Sequence, residues 1–507
     1  MTFKTIVFIL AGILTVPAFY AQNITDAVRY SQDDIVGSAR YRGLSGAFGA
    51  LGGDLSAASL NPAGAAVFTS SFMSFSLTNL NIKNNTAYYD GLDSNKDSYT
   101  EFTQIGTAFV FHNPNSNGSF KKFTLGFSYD KTHDYKNDWA AHGEGVNSIA
   151  NYFLAYAQGK PLNEISALQN ESLSRAYSEI GYAYGSGHQQ AFLGYESYII
   201  DPVNSTDENT DYISNISPGT FNQNYIYSAT GYNGKIAVNL ASQVNDKLYL
   251  GINLNTHFIN YDRITYFTES NSNVDSYVTD VDFENRLSTI GGGFSFQVGT
   301  IYRATDRLRL GLTYSSPTWY TIEEETAQAI STTRIEENNS IDQVIKPNVI
   351  NVFPSYDLRT PGKFLGSIAY VFGTKGLISF DYSYKDYGSA KFKPNNDPYF
   401  SEQNNIITNA LKGVSAFNVG GEYRIKQLSL RGGYRFEESP YKNGVTVGDL
   451  TGYSVGLGYR FGNTNFDITF DQYQRDQDYQ LYNVGLTDAV ALDTTVSNIT
   501  FSLSFTL

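Results

Sequence analysis

The sequence contains no cysteine, and among its 507 residues it has only 2 methionines, 2 tryptophans and 17% charged side chains. The missing cysteine excludes a disulfide framework, thiol catalysis and cysteine-held zinc or iron–sulfur sites. Few methionines and few charges argue against a set of packed soluble helices. Positive charge is scarce as well, with 35 Lys+Arg against 49 Asp+Glu and a net charge of -14. That balance disfavours a nucleic-acid partner, because phosphate binding needs clustered cations. A mean hydropathy of -0.29 leaves little room for a bundle of membrane helices. A membrane barrel survives that test, since its strands are apolar on one face only. What the chain does have is 40 Tyr, 34 Phe and 45 Gly, a composition suited to many strands.

One apolar run stands at the start. Lys4 precedes residues 6–16, and the small residues Ala18 and Ala21 follow. A charged start, a short apolar core and a small-residue cleavage region make a secretory signal peptide. Spanning a bilayer as a helix takes roughly 20 apolar residues, so this run is too short to anchor the chain. Cleavage is expected after Ala21, giving a mature start at Gln22, and no cysteine is available for a lipid anchor.

The rest of the chain alternates. In residues 123–130, Phe123, Leu125, Phe127 and Tyr129 share one face, and Thr124, Gly126, Ser128 and Asp130 share the other. Period-two alternation is the strand signature. It recurs at 73–77, 236–240, 248–254, 308–314, 378–384, 417–425, 428–436, 453–461, 466–470 and 499–507. Short links at 244–247, 303–306, 373–376, 426–427 and 461–463 alternate with long polar connections at 81–103, 131–228, 268–283, 321–359, 388–413, 439–450 and 471–495. One end with tight turns and another with large loops is the asymmetry of an outer-membrane barrel. The expected fold is therefore all-β: a transmembrane antiparallel barrel of about fourteen strands. Ile499, Phe501, Leu503, Phe505 and Leu507 alternate to the end of the chain. This terminal strand resembles the signal read by the barrel assembly machinery, an expected partner together with outer-membrane lipid. Tyr314, Tyr384, Phe436 and Tyr459 near strand ends suit an interfacial girdle, or ordinary cross-strand packing.

Residues 22–66 show no alternation. Gly43, Gly46, Gly49, Gly52 and Gly53 crowd together, Asp54 is placed to cap a short helix over 55–60, and Asn61-Pro62-Ala63-Gly64 stops it. A fourteen-stranded barrel is wide enough to hold such a segment. The order of signal peptide, Gly/Ala-rich stretch, the string GDLSAASLNPAG and a barrel resembles the FadL/TodX-type transporters of hydrophobic compounds. The resemblance implies that residues 22–66 are a hatch within the barrel of residues 67–507, with the family's Asn-Pro-Ala element at Asn61, Pro62 and Ala63. It implies outer-membrane localisation, external capture on outer loops and uptake of long-chain fatty acids or other hydrophobic small molecules, without a cofactor. It also implies a lateral opening near the third strand, around 123–130, where Gly126 permits a kink. A branch of the same family serves protein secretion, so a structural or secretion-associated barrel gripping a protein partner is the alternative, with haem capture by the long loop behind it.

Two groups of residues are candidates for substrate contact. In the longest connection, 131–228, Val146, Ile149, Phe153 and Ala157 recur at helical spacing, as do Leu162, Ile165 and Leu168, and Phe192 lies in an apolar cluster over 191–200. These residues either pack on one another or line a groove that would gain about 0.8 kcal/mol per buried methylene. On inward faces, Arg431 and Arg435 suit a substrate carboxylate, unless they pair with Glu422, Asp467 and the other inward charges Asp381, Lys385, Arg424, Arg460 and Asp471. No catalytic constellation stands out. Gly452-Tyr453-Ser454-Val455-Gly456 matches the nucleophile-elbow spacing, but it lies in an alternating strand rather than at a strand-to-helix turn. Asp93, Asn95 and Asp97 begin a calcium-loop pattern that fails at Ser98 and Gln104, and the five histidines have no metal-ligand spacing.

Overall fold

The computed structural model describes residues 22–115, 119–337 and 339–507. The expected signal peptide, residues 1–21, lies outside the described residues. Fourteen strands form the wall. Its first half is β1 (Phe72–Tyr88), β2 (Gly91–His112), β3 (Lys122–Asp134), β4 (Phe221–Gln243), β5 (Leu248–Ser270), β6 (Val278–Arg303) and β7 (Leu308–Ser315). The second half is β8 (Lys363–Val371), β9 (Gly376–Asp386), β10 (Gly413–Ile425), β11 (Leu428–Glu437), β12 (Leu450–Phe461), β13 (Thr464–Gln480) and β14 (Ala489–Thr506). Each strand is antiparallel to the next, and β14 closes on β1 from Phe72↔Thr506 to Ala87↔Ala491. A closed ladder has no free edge, which is the condition for placing backbone in hydrocarbon.

Burial identifies the solvent. Along β1, Ser74, Ser76 and Thr78 are buried while Met73 and Leu77 are exposed. Along β14, Asn498, Thr500 and Ser502 are buried while Ile499 and Phe501 are exposed. A soluble protein shows the opposite alternation, and only a hydrocarbon surround rewards this one. The expected short links are the turns of one end, whereas several expected loops of the other end are ladder instead. Residues 81–103 continue β1 and β2 up to a hairpin at Tyr89 and Asp90, β5 and β6 pair out to Ser270↔Asp280, and β13 and β14 out to Gln480↔Ala489. Residues 321–359 likewise contain most of the strand Trp319–Glu336, which lies on β6. Beyond the bilayer neither face of a strand meets lipid, so the lipid-facing alternation stops there, and the extensions are held by their ladders and by inward side chains such as Tyr88, Phe267, Phe283 and Val490 that join the apolar core of the outer end.

Inside the wall lies the N-terminal segment. It runs through α1 (Ile24–Arg29), α2 (Ala39–Arg42), α3 (Leu55–Leu60) and a 3-10 turn at Pro62–Val67. Each helix has the cap its sequence offers: Asn23 accepts from the Thr25 N–H at 2.8 Å, Ser38 from Tyr41 at 3.1 Å and Asp54 from Ser56 at 2.9 Å. Above the wall, residues 137–145 extend the ladder on β4, and α4 (Ala150–Ala157), α5 (Leu173–Tyr184) and α6 (Ser186–Glu196) fold over the outer mouth as a cap with its own apolar core. A further helix, α7 (Pro398–Ala410), stands in the connection between β9 and β10.

Candidate functional site in the barrel lumen

The hatch is fastened to the wall by polar groups that meet its backbone. Asp381 on β9 accepts the N–H groups of Phe48 and Gly49 at 2.9 and 2.8 Å. Arg42 forks onto Asp471 at 2.7 and 2.9 Å, and Arg40 meets Glu422 at 3.0 Å. Asn61 stitches three parts together: its amide donates to the carbonyls of Gly49 at 2.7 Å and Thr300 at 3.1 Å, while its oxygen accepts from Ala63 at 3.1 Å. Pro62 gives its carbonyl to Asn239 at 3.0 Å. The wall makes room with glycines. A Cβ on Gly251 would lie 2.3 Å from Pro62, on Gly299 2.1 Å from Asn61, on Gly311 2.4 Å from Gly49 and on Gly433 2.6 Å from Leu44. Among the hatch glycines, Gly46 and Gly53 hold left-handed φ of 78° and 71°. Gly43 and Gly49 are needed for close approach, since a Cβ there would meet Thr469 at 2.9 Å and Ser367 at 2.0 Å.

Toward the outside, α1 plugs the mouth. Ala27, Val28 and Tyr30 are buried among Tyr135, Tyr261, Tyr320 and Tyr356, beneath α7. Gln22 is covered, donating to Glu324 at 2.9 Å and accepting from Tyr399 at 2.6 Å. Glu324 also accepts from Tyr356 at 3.0 Å, and burial together with the nearby Asp26 pushes its carboxyl up to about 7.

Between the plug and the hatch lies a polar chamber of about 160 Å³. Lys385 is occupied, pairing with Asp33 at 3.2 Å. Lys235 and Lys363, also in its lining, have no ion-pair partner among the described residues. Asp130 stands opposite Lys235 in register but spends its oxygens on Gln104, Ser59 and Ser128. The surplus is visible at Asp33: burial raises its pKa, and Lys385, Lys363 and Lys235 more than offset this, holding the carboxyl below its usual range. Buried polar atoms without partners also line this space, among them Ser31 Oγ, Asn233 Oδ1 and Asn255 Oδ1. Such groups are costly to leave unpaired, and a polar head group entering the chamber would satisfy them.

The third strand differs from what the resemblance implied. Both ladders run unbroken through 123–130, Gly126 pairing with Ala108 and with Asn239. The irregularity comes just beyond, between Lys131 and His133, and pairing of β2 with β3 stops at Gln104↔Asp130. Above that level side chains bridge the seam: Tyr99 donates to Asp134 at 2.8 Å, and Lys131 pairs with Glu101.

The four residues singled out for substrate contact fall in different places. Phe153 and Phe192 are wholly buried in the cap core, against Phe283 and Tyr177, and line no groove. Arg431 is committed to Glu422 at 2.7 Å and Asp467 at 2.6 Å on the inner side of the hatch. Arg435 lies over the Tyr473 ring at 4.4 Å and has no carboxylate partner among the described residues. Ser454 is buried against Ser45 of the hatch at 2.8 Å, a fastening rather than a nucleophile. Asp93, Asn95 and Asp97 lie on β2 rather than in a loop, Asp93 meeting His142 at 2.6 Å and Asp97 meeting Lys136 at 2.7 Å. Periodicity could not have found the chamber lysines, because Lys235 and Lys363 sit at strand positions flanked by glycine (Gly234, Gly362), where alternation is weak.

The family model "Outer membrane protein transport protein (OMPP1/FadL/TodX)" matches residues 219–507, more than half of the chain. The chain belongs to this family. It is an outer-membrane transport protein of the FadL/TodX type, and the family is one of transport channels rather than enzymes. Among solved structures it is similar to a Pseudomonas aeruginosa FadL homologue, with a TM-score of 0.53 and 11% identity over 94% of this chain and 100% of that one. It is also similar to the Pseudomonas putida toluene transporter TodX (TM-score 0.49, 11% identity, 94% and 100% covered) and the Ralstonia pickettii toluene transporter TbuX (TM-score 0.47, 14% identity, 93% and 99% covered). No curated protein matches the chain in sequence. At 11% identity the likeness to the Pseudomonas aeruginosa homologue shows the fold alone, and the substrate is a separate question.

Proposed function

We propose that this FadL/TodX-type barrel takes up hydrophobic molecules that carry an anionic head group, long-chain fatty acids foremost, by passive diffusion gated by the hatch. The observation that carries this reading is the pair Lys235 and Lys363, without ion-pair partners among the described residues, in a chamber directly above the hatch. A carboxylate would find there two cations and several unpartnered polar atoms, interactions worth more inside a protein than in water. A bare aromatic hydrocarbon would leave them all unsatisfied. Arg435, free of a carboxylate partner among the described residues, is a further head-group contact on the inward wall. The hatch residues Gly43, Gly46, Gly49, Gly53, Asp54, Asn61, Pro62 and Ala63 form the gate, whose fastenings must loosen for passage.

The test is uptake by cells that lack their own long-chain fatty-acid channel and express this chain. Labelled oleate should accumulate, and Lys235→Ala with Lys363→Ala should lower the rate about tenfold, the scale of a lost charge-assisted hydrogen bond. Toluene entry should be indifferent to both substitutions. Absence of oleate uptake, or an unchanged rate in the double variant, overturns the proposal.

A further inference from the structure

We propose that the lipid-facing wall across β9, β10 and β11 holds an anionic phospholipid of the inner leaflet, its acyl chain in a groove and its phosphate on Lys375. The groove begins with four glycines. Gly420 pairs with Gly433 and Gly421 with Gly432 on neighbouring strands. Alternation turns the first pair inward, where each meets Leu44 of the hatch, and the second pair outward. A Cβ on Gly421 or Gly432 would find nothing nearer than 3.7 Å, so the wall is thinned to bare backbone at this point. Ile378, Tyr423 and Leu430, all exposed, flank the resulting groove of about 590 Å³, and Phe372 stands at its inner end. An acyl chain seated there gains dispersion contacts with the flanking side chains that a flat wall cannot give.

Charge complementarity identifies the occupant. The groove runs to the turn at 372–375, where Lys375 lines it, exposed and without an ion-pair partner among the described residues. Lys426, in the adjacent inner turn, is likewise exposed and unpaired among the described residues. Summed over the inner turns, cations outnumber anions five to two, Lys121, Lys247, Arg307, Lys375 and Lys426 against Asp246 and Asp306, in a chain whose net charge is -14. Cations at the head-group level beside an apolar groove fit a phosphate with no compensating amine. The inference concerns the outer surface of the wall and is independent of what the lumen carries.

Native mass spectrometry of the full-length protein, released from mixed micelles holding equal amounts of phosphatidylglycerol and phosphatidylcholine, tests it. Wild type should retain phosphatidylglycerol in preference, and Lys375→Glu should reduce that preference by at least about fivefold, the effect of one basic residue near a charged membrane surface. Gly421→Leu with Gly432→Leu, which fills the groove, should lower retention of both lipids. Lys375 is an exposed turn residue, so its variant remains informative if the glycine variant does not fold. Equal retention of the two lipids by wild type, or an undiminished preference in Lys375→Glu, refutes the inference.

Discussion

Asp381 illustrates how single wall residues hold the hatch: one carboxylate oxygen takes two backbone N–H groups, those of Phe48 and Gly49. Removing it strands two buried donors, each at about 1–3 kcal/mol. Asp381→Ala should therefore raise amide hydrogen exchange across residues 38–53 at least tenfold while the wall strands keep their protection. Equal protection in variant and wild type would show that the fastening is dispensable. Glu324 supplies a pH dependence. Its neighbours are Asp26 and Arg29 of α1, Gln22 and Tyr356, and its folded pKa of about 7 lies above the unfolded value. A raised carboxyl pKa favours the folded arrangement while the proton is bound, so that contribution is present at pH 4 and is lost as pH rises through about 7. Exchange of residues 22–30, corrected for intrinsic rates, should be slower at pH 5 than at pH 8, and Glu324→Gln should flatten the difference. At this scale the sequence showed which residues point inward, Asp381, Lys385, Arg431 and Asp471 among them. It could not show that hatch residues Asp33, Arg40, Arg42, Phe48 and Gly49 are the partners of several of them, because those pairings span hundreds of positions.

Elements were readable where lipid touches them. β11 and β12 present Leu430, Tyr434, Tyr453, Val455, Leu457 and Tyr459 to hydrocarbon, and this is the alternation that periodicity detects. Strands that continue above the bilayer become unreadable there, which is why residues 81–103 of β1 and β2 and residues 471–495 of β13 and β14 read as loops. The cap was half readable: helical spacing at Ile149, Phe153 and Ala157 is real, but Phe153 faces its core and Val146 is left exposed. The hatch was readable from its glycines and the Asn-Pro-Ala element, whereas the matching glycines of the wall look in sequence like any strand glycine. Gly433 makes the point testable. A Gly433→Val side chain would collide with the backbone of Leu44 and Ser45, an overpacking that costs typically 1–3 kcal/mol. The barrel should still migrate as a heat-modifiable band, while planar-bilayer recordings show openings absent from wild type. Silent recordings from a folded variant would mean that the seat tolerates crowding.

At the scale of the molecule, three layers close the path: the cap, the plug made by α1, and the hatch. Between plug and hatch the chamber brings Lys235 and Lys363, without ion-pair partners among the described residues, together with unsatisfied polar atoms, and the proposed transport depends on it. A crystal structure of the protein grown with a terminally brominated long-chain fatty acid tests this most directly. The carboxylate should lie within about 3 Å of the Lys235 and Lys363 amines, above a hatch still held by Asp381. Bromine signal with the carboxylate placed elsewhere, in the cap or on the outer wall, or a chamber that stays free of the ligand, would contradict the account.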